Sequence, residues 1–173
     1  MKKESGFTLL ELMVVISITM LLLAWGIPSY STWKKKHDIE NQMIQLYDDL
    51  QFGRMTAYGT KVVTGVYWGG GATFASYQIK YDANNNNEID DNVDQQVPGT
   101  MIMNLKYAIT SSLSTQTSVS FDGRGFMDPG NPNPASPITF SVVPSYGAVM
   151  DCVQVSTTQI ILGKMNGNSC KQK

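Results

Sequence analysis

The sequence predicts an α+β protein in which one long N-terminal helix packs on an antiparallel β domain. An almost unbroken apolar run covers residues 6–27, and apolar residues then recur at helical spacing to about residue 58. The remainder is rich in β-branched residues, aromatic residues and turn signals. No helical pattern of a dozen residues separates the predicted strands, which argues against βαβ units and a parallel nucleotide-binding sheet.

The apolar run is long enough to cross a membrane. About 21 residues at a rise of about 1.5 Å give a helix of about 31 Å, which matches a hydrocarbon core of about 30 Å. Glu11 interrupts the run near its start. A carboxylate inside such a segment costs about 2.5–3.5 kcal/mol on insertion, so the acid indicates a function and needs a partner.

Two kinds of processing fit this run. An ordinary secretory signal peptide would use two lysines near the N-terminus as its charged start and end near Gly26, but it has no use for Glu11. Cleavage after Gly6 would instead leave Phe7 as the new N-terminus, with its amine one helical turn from Glu11. The acid would then have a cation available.

The segment GFTLLEL at residues 6–12, with a short basic leader before it, resembles the class III signal of type IV pilins and type II secretion pseudopilins. The resemblance implies cleavage after Gly6 by prepilin peptidase and N-methylation of Phe7. It also implies that Glu11 pairs with the N-terminal amine of a neighbouring subunit as a filament grows. The implied partners are therefore other pilin or pseudopilin subunits, prepilin peptidase, an inner-membrane assembly platform and the lipid bilayer.

The same resemblance divides the chain into a leader peptide at 1–6, a transmembrane and filament-core helix at 7–28, an amphipathic half-helix at 29–58 and a periplasmic β-rich domain at 59–173. It implies a single-pass protein of the bacterial inner membrane that enters a pilus or pseudopilus after assembly. About 145 residues outside the membrane are enough for one core. The net charge of −1 indicates neither nucleic-acid binding nor tight attraction to a membrane surface.

Pro28 marks the boundary between the two helix halves. It should kink or locally melt a continuous helix, because proline removes a backbone donor and clashes with the preceding turn. In the family, local melting here accompanies packing into filaments. The alternative is that a new helix begins at Pro28. Beyond it, one stripe at helical spacing predicts a face that a sheet must cover: Ile39, Met43, Leu46, Leu50, Gly53 and Ala57.

Six or seven strands are predicted after the helix, and six of them have assigned residues. Residues 62–68 and 74–81 flank three glycines and predict a hairpin. Residues 138–143 alternate apolar and polar side chains, which predicts a half-buried strand. The other predicted strands cover residues 101–109, 119–121 and 149–155.

An Asn- and Asp-rich segment at 82–94 invites a metal-binding interpretation. Four oxygen-bearing side chains suit a hard cation such as calcium: Asp82, Asn84, Asn86 and Asp90. The match to an EF-hand loop is incomplete, because Asn87 replaces the expected glycine and Val93 replaces the expected acid. Asn-rich runs also make turns. The residues favour a plain loop, with calcium as the alternative and no other cofactor.

Two further segments resemble the GspH/FimT branch of the superfamily. Residues 121–126 resemble its F-x-x-x-G signature, where a turn lets the following segment cross the sheet. Near the C-terminus the resemblance implies a cysteine-bearing strand, a turn and a last strand. It places Cys152 and Cys170 in an oxidising envelope, where a disulfide is favoured over a metal site that would need more ligands. Closing a loop of about 20 residues would stabilise the fold by about 3 kcal/mol.

The resemblance implies a minor pilin or pseudopilin with a structural role in filament initiation, assembly and protein secretion, in a type II secretion pseudopilus or a type IV pilus. A major pilin is one alternative, and a FimT-like minor pilin that binds DNA for uptake is another. DNA-binding members share a Gly-Arg-x-Arg-like turn, whereas this chain has Thr158-Gln159-Ile160-Ile161 there, so few phosphate contacts are available and nucleic acid is disfavoured as a partner.

A membrane-anchored envelope enzyme is the alternative from a different class. The residue inventory argues against it. The single histidine lies on the helix, the two cysteines are expected to pair, and no serine or cysteine stands beside a plausible base.

Overall fold

The computed structural model describes residues 6–89, 93–113, 116–127 and 137–173, apart from the side chains of residues 25–28. The chain forms two compact units, Met1–Lys35 and Lys36–Lys173. Helix α1, Leu9–Thr60, begins in the first unit and ends in the second. The strands all belong to the second unit.

The second half of α1 packs on the sheet through the predicted stripe. Five apolar side chains of this stripe are fully buried, and Gly53 is buried with them: Ile39, Met43, Leu46, Leu50 and Ala57. Because residues three and four apart share one face of a helix, these side chains form a continuous apolar surface. The prediction that a sheet covers this face is confirmed.

Nine strands form the described part of the sheet, and every pair is antiparallel. Their bounds are β1 Thr64–Tyr67, β2 Thr73–Tyr81, β3 Gln95–Gln96, β4 Met103–Ser111, β5 Ser118–Phe121, β6 Ile138–Val142, β7 Cys152–Val155, β8 Ile160–Asn166 and β9 Ser169–Gln172. The strand order is β5-β1-β2-β4-β6-β7-β8-β9, with β3 beside β2.

The predicted hairpin is β1 and β2, with Tyr67 opposite Gln78. Each of the six predicted strands has a counterpart in the sheet. Strand β3 was not predicted, because two glutamines carry no β signal. The chain also ends in two strands, β8 and β9, where one was expected, because the turn at Gly167 folds the C-terminus back on β8.

The prediction of a half-buried strand at residues 138–143 is wrong. All five residues of β6 are buried, including Thr139 and Ser141 on the polar face. The Thr139 backbone bonds to Ser112: the Thr139 amide donates to the Ser112 hydroxyl at 3.0 Å, and the Ser112 amide donates to the Thr139 carbonyl at 2.8 Å. The Thr139 hydroxyl accepts a hydrogen bond from the Gln154 side-chain amide at 3.4 Å. Strands β4 and β7 pair with the two edges of β6, and the burial of all five residues shows that both of its faces are covered.

The core between α1 and the sheet contains an aromatic cluster. The Trp68 ring stacks on Phe74 with centroids 5.2 Å apart and meets Phe140 edge-on at 5.4 Å. Such pairs add about 0.5–1.5 kcal/mol to the burial of their surface. A smaller apolar cluster of Val63, Tyr67 and Ile89 lies apart from this core.

Strand β4 bulges away from β2 over several residues, and a side chain of α1 bonds the backbone groups that are left unpaired there. Phe74 pairs with Ile109 and Ser76 pairs with Asn104, so one residue of β2 stands opposite residues 105–108 of β4. The Gln42 side chain replaces the missing strand partner. Its Oε1 accepts from the Lys106 and Tyr107 amides at 3.0 Å each, and its Nε2 donates to the Tyr107 carbonyl at 2.7 Å.

Replacing Gln42 by Leu is expected to lower the free energy of unfolding by about 1–3 kcal/mol, because half-buried backbone groups lose their partner. Urea unfolding of the detergent-solubilised chain measures the loss, and hydrogen exchange at the Lys106 and Tyr107 amides locates it. Gln51→Leu is the matched control, since the Gln51 side chain donates to the Tyr47 hydroxyl on its own helix. Equal stability of the two variants would contradict this role of Gln42.

Candidate functional site

Thr8 organises the first turn of α1. Its carbonyl accepts a hydrogen bond from the Leu12 amide at 3.2 Å, and its hydroxyl accepts one from the Glu11 amide at 3.3 Å. Threonine followed three residues later by glutamate is the capping-box sequence, and the hydroxyl satisfies a backbone amide left open at the helix start. The cap places Glu11 in the first turn. This role of Thr8 was missed, although the T-x-x-E spacing signals it.

The residues before the cap are accessible. Gly6 and Phe7 have no regular structure, and the Phe7 residue is 80% exposed. Among the described residues, no atom outside the chain neighbours lies within 4 Å of the position that a Cβ on Gly6 would take. Within this part of the chain, the peptide bond after Gly6 is therefore exposed.

The helix surface after Glu11 is apolar and exposed. Glu11 is the only charged residue between positions 5 and 33. An 18-residue window of α1 has a mean hydropathy of 2.2 and is 0% buried. The Ser17 hydroxyl donates to the Met13 carbonyl at 2.8 Å, so this polar group is satisfied within the helix. Among the described residues, α1 is the one helix whose length and composition allow it to cross a membrane.

Pro28 lies inside α1, whose backbone is helical from Leu9 to Thr60. The alternative that a new helix begins at Pro28 is therefore wrong. The side chains of residues 25–28 lie outside the described part. Local melting at Pro28 on assembly stays a prediction.

The predicted disulfide between Cys152 and Cys170 is present. It connects β7 to β9 across the intervening strand β8, and both cysteines are buried. The backbone of β8 makes room for β9 at Gly163, where a Cβ would lie 2.0 Å from the Lys171 carbonyl oxygen. The bond therefore ties the terminal strand to the sheet interior.

The Asn-rich segment forms a turn held by its own side chains. The Asp82 carboxylate accepts from the Asn86 and Asn87 amides at 3.3 and 2.8 Å, and the Asn84 side chain also accepts from the Asn86 amide at 2.9 Å. Asn85 and Asn87 have positive φ, a conformation that asparagine tolerates. These contacts give Asp82 a structural role as the cap of the turn.

The calcium prediction involves a residue, Asp90, that lies outside the described part of the chain. Within the residues that are described, no three His, Cys, Asp or Glu side chains are grouped so that they could hold a metal ion. Calcium binding at Asp82, Asn84, Asn86 and Asp90 stays a prediction. The turn itself packs back on the sheet, because Ile89 is buried and its carbonyl accepts from the Ser118 hydroxyl at 3.2 Å.

The segment that resembles the F-x-x-x-G signature forms a tight turn around Asp122. The Asp122 carboxylate accepts from the Arg124 and Phe126 amides at 2.9 and 3.0 Å, and it pairs with the Arg124 guanidinium at 2.8 Å. The Met127 amide then donates to the Thr157 carbonyl at 3.0 Å, which brings the chain from β5 to the turn between β7 and β8.

Ionised Asp122 stabilises this turn. Partial burial opposes ionisation, but the hydrogen bonds from the Phe126 and Arg124 amides and the Arg124 side chain together hold the pKa of Asp122 below its ordinary value. Because the pKa is lower in the folded state, the contribution is present above the unfolded value of about 3.9 and is lost as the pH falls through the folded value.

We therefore expect Asp122→Asn to be less stable than the parent chain at neutral pH, with the difference shrinking towards about pH 3. Urea unfolding across this pH range measures the difference. Asp48→Asn, at an exposed position of α1, tests the loss of one carboxylate elsewhere. A constant difference across the pH range would show that the Asp122 charge does not stabilise the turn.

The turn between β7 and β8 carries no arginine. Its backbone is closed by the Ser156 amide, which donates to the Gln159 carbonyl at 2.8 Å. The nearby Lys164 ammonium donates to the Ala148 carbonyl at 2.8 Å. The expectation that nucleic acid is disfavoured as a partner stays a prediction.

Comparisons with known proteins match the N-terminal segment. A family model described as the prokaryotic N-terminal methylation motif matches residues 1–27. Over 36 residues the chain is 56% identical to the type IV pilus subunit protein TapA of Aeromonas hydrophila and to the prepilin peptidase-dependent protein D of Escherichia coli K12. Each match covers 21% of this chain and 25% of the relative. The chain thus spans about a quarter of the length of these relatives.

Two further similarities extend beyond this segment. The chain is 33% identical over 63 residues to the type IV major fimbrial protein FimA of Dichelobacter nodosus, which covers 32% of this chain and 39% of that protein. The fold is similar to that of the type IV minor pilin FimU of Pseudomonas aeruginosa, with a TM-score of 0.51 and 11% identity. That alignment covers 81% of this chain and 97% of the solved chain, so the predicted α+β fold class is confirmed.

Proposed function

We propose that this chain, a member of the type IV pilin and pseudopilin superfamily by its N-terminal segment and its fold, is a minor pilin or pseudopilin. Its function is structural: it initiates or extends a filament of a type IV pilus or a type II secretion pseudopilus, and it catalyses no reaction. The observation that carries the proposal is the first turn of α1, where an accessible bond after Gly6 precedes one acid, Glu11, on an otherwise apolar helix.

Before assembly, α1 spans the bacterial inner membrane and the β domain lies in the periplasm. Prepilin peptidase removes residues 1–6 on the cytoplasmic side and exposes the Phe7 amine, which is then methylated. Residues 7–28 act as the membrane and filament-core helix, residues 29–58 as the amphipathic half and residues 59–173 as the β domain. The partners are other pilin or pseudopilin subunits, prepilin peptidase and the inner-membrane assembly platform.

Assembly exchanges lipid contacts for contacts between helices. A lone carboxylate in this environment is costly, and the N-terminal amine of a neighbouring subunit offers Glu11 a unit positive charge. Opposite charges about 4 Å apart attract more strongly in a low-dielectric environment than in water. The pair therefore sets the axial position of each new subunit, while the apolar surface supplies most of the contact area.

The processing step has a direct test. Mass spectrometry and N-terminal sequencing of the chain made together with prepilin peptidase are expected to show a methylated Phe7 as the first residue. The same chain made without the peptidase is the control and should keep its leader. A mature chain that begins at Ile27 would show that Glu11 is discarded with a signal peptide, and the proposed function would then fail.

A further inference from the structure

We propose that Tyr30, Trp33, Lys34 and Lys35 form an interfacial collar that binds the headgroup layer of anionic phospholipids on the periplasmic side of the membrane. By holding the periplasmic end of the apolar run of α1 in this layer, the collar fixes the depth of Glu11 at the opposite side. The inference rests on the proposed function, because it requires α1 to span a bilayer before assembly.

The two aromatic side chains form one surface. Tyr30 and Trp33 are three residues apart on α1, and their ring centroids lie 6.0 Å from each other. The two residues are 62% and 59% exposed. Tyrosine and tryptophan combine an apolar ring with a polar group, which is why they concentrate where hydrocarbon meets water. Their position after the apolar run matches this preference.

The charge that follows the aromatic pair is complementary to anionic lipid. Lys34 and Lys35 are exposed and come directly after Trp33. No acidic residue stands between Glu11 and Asp38. Lysine stems extend along apolar surface and place their ammonium groups at the headgroups, where anionic lipids attract each of them.

The distances along α1 fit a bilayer. At a rise of about 1.5 Å per residue, Trp33 lies about 36 Å along the helix axis from Leu9, where α1 begins, and a bilayer with its headgroups is about 40–45 Å thick. Glu11 lies about 33 Å from Trp33, which is close to the hydrocarbon thickness of about 30 Å. With Trp33 in one headgroup layer, Glu11 reaches the opposite edge of the hydrocarbon core.

This depth has a consequence for assembly. The large insertion cost of a carboxylate applies at the bilayer centre, and it falls where the side chain reaches interfacial water. The collar therefore holds Glu11 at the level of the N-terminal amines of neighbouring subunits. Extraction of the subunit must first detach the collar from the headgroups.

Trp33 fluorescence in vesicles tests the collar. The mature full-length chain carrying Trp25→Phe is reconstituted in vesicles of phosphatidylcholine and phosphatidylglycerol that contain brominated lipids. Trp68 is buried and stacked on Phe74, so it is kept and its fluorescence forms a background signal. The signal of a chain that also carries Trp33→Phe measures this background, which is then subtracted. Bromines near the headgroup are expected to quench Trp33 at least about twofold more than bromines near the chain ends, because an interfacial indole lies close to them.

A second variant tests the lysines. With Lys34→Gln and Lys35→Gln in the Trp25→Phe chain, iodide is expected to quench Trp33 more strongly in anionic vesicles and equally in phosphatidylcholine vesicles. Unchanged iodide quenching in both would overturn the recognition of anionic lipid.

The remaining outcomes separate the collar from the proposed function. Stronger quenching by the deep bromines would place Trp33 in the hydrocarbon and overturn the collar. If bromines at no depth quench Trp33, but bromines do quench Trp25 of the parent chain, the helix spans the bilayer without a collar. That result would overturn the collar and leave the proposed function standing. If neither tryptophan is quenched, the chain does not span the bilayer, and the proposed function fails with the collar.

Discussion

Replacing Glu11 by Leu is expected to reduce incorporation into filaments by about a hundredfold or more, while cleavage after Gly6 continues. Leucine inserts into lipid more readily than glutamate, so membrane anchoring is kept. The neighbouring amine then enters the filament core without a counter-charge. Removing one partner of a buried ion pair costs about 3–5 kcal/mol, and every 1.4 kcal/mol corresponds to about tenfold in an equilibrium constant.

The measurement compares the chain in sheared filaments with the chain in membranes by immunoblot, and N-terminal sequencing of the membrane pool checks processing. Glu11→Gln keeps the size and hydrogen-bonding ability of the side chain and removes only the charge, so it separates charge from shape. Glu88→Gln removes one charge from an exposed position of the β domain and serves as the matched control. Normal assembly of Glu11→Leu would show that the acid is not a docking contact.

Loss of the disulfide is expected to be the most destabilising change in the β domain. Replacing both Cys152 and Cys170 by Ala should lower the free energy of unfolding by about 3 kcal/mol, because the unfolded chain regains the freedom of a closed loop. Among the described strands, β9 lies at the end of the strand order and pairs with β8 alone. Without the disulfide, β9 is held to the sheet mainly by its pairing with β8. It should therefore open locally before the rest of the sheet unfolds.

Urea unfolding measures the global effect, and hydrogen exchange of the β9 amides measures the local opening. Reductant provides the internal control: the chain has two cysteines and both are in this bond, so reductant should destabilise the parent chain and leave the double variant unchanged. Equal stability of parent and variant under oxidising conditions would contradict the expected contribution.

Several features of the structure could not be predicted because they depend on which strands become neighbours. Gln42 looks like an ordinary polar helix residue, and only the bulge of β4 opposite it gives its amide three backbone partners. The alternation in β6 predicted one solvent-exposed face, yet Thr139 and Ser141 on that face are buried. Strand β3 exists only because β2 offers an open edge beside it.

The sequence by itself determined the apolar N-terminal half of α1, the buried stripe of its second half, and the hairpin of β1 and β2. The pairing of the two cysteines followed once the family resemblance was recognised. Each of the first three features depends on residues close together in the sequence. The apolar half depends on the length of the apolar run, the stripe on helical spacing, and the hairpin on glycines between β-branched residues. Only the tertiary structure decided the strand order, the two-sided burial of β6 and the contact of Gln42. These features join residues far apart in the chain, and their energies appear only when the sheet brings those residues together.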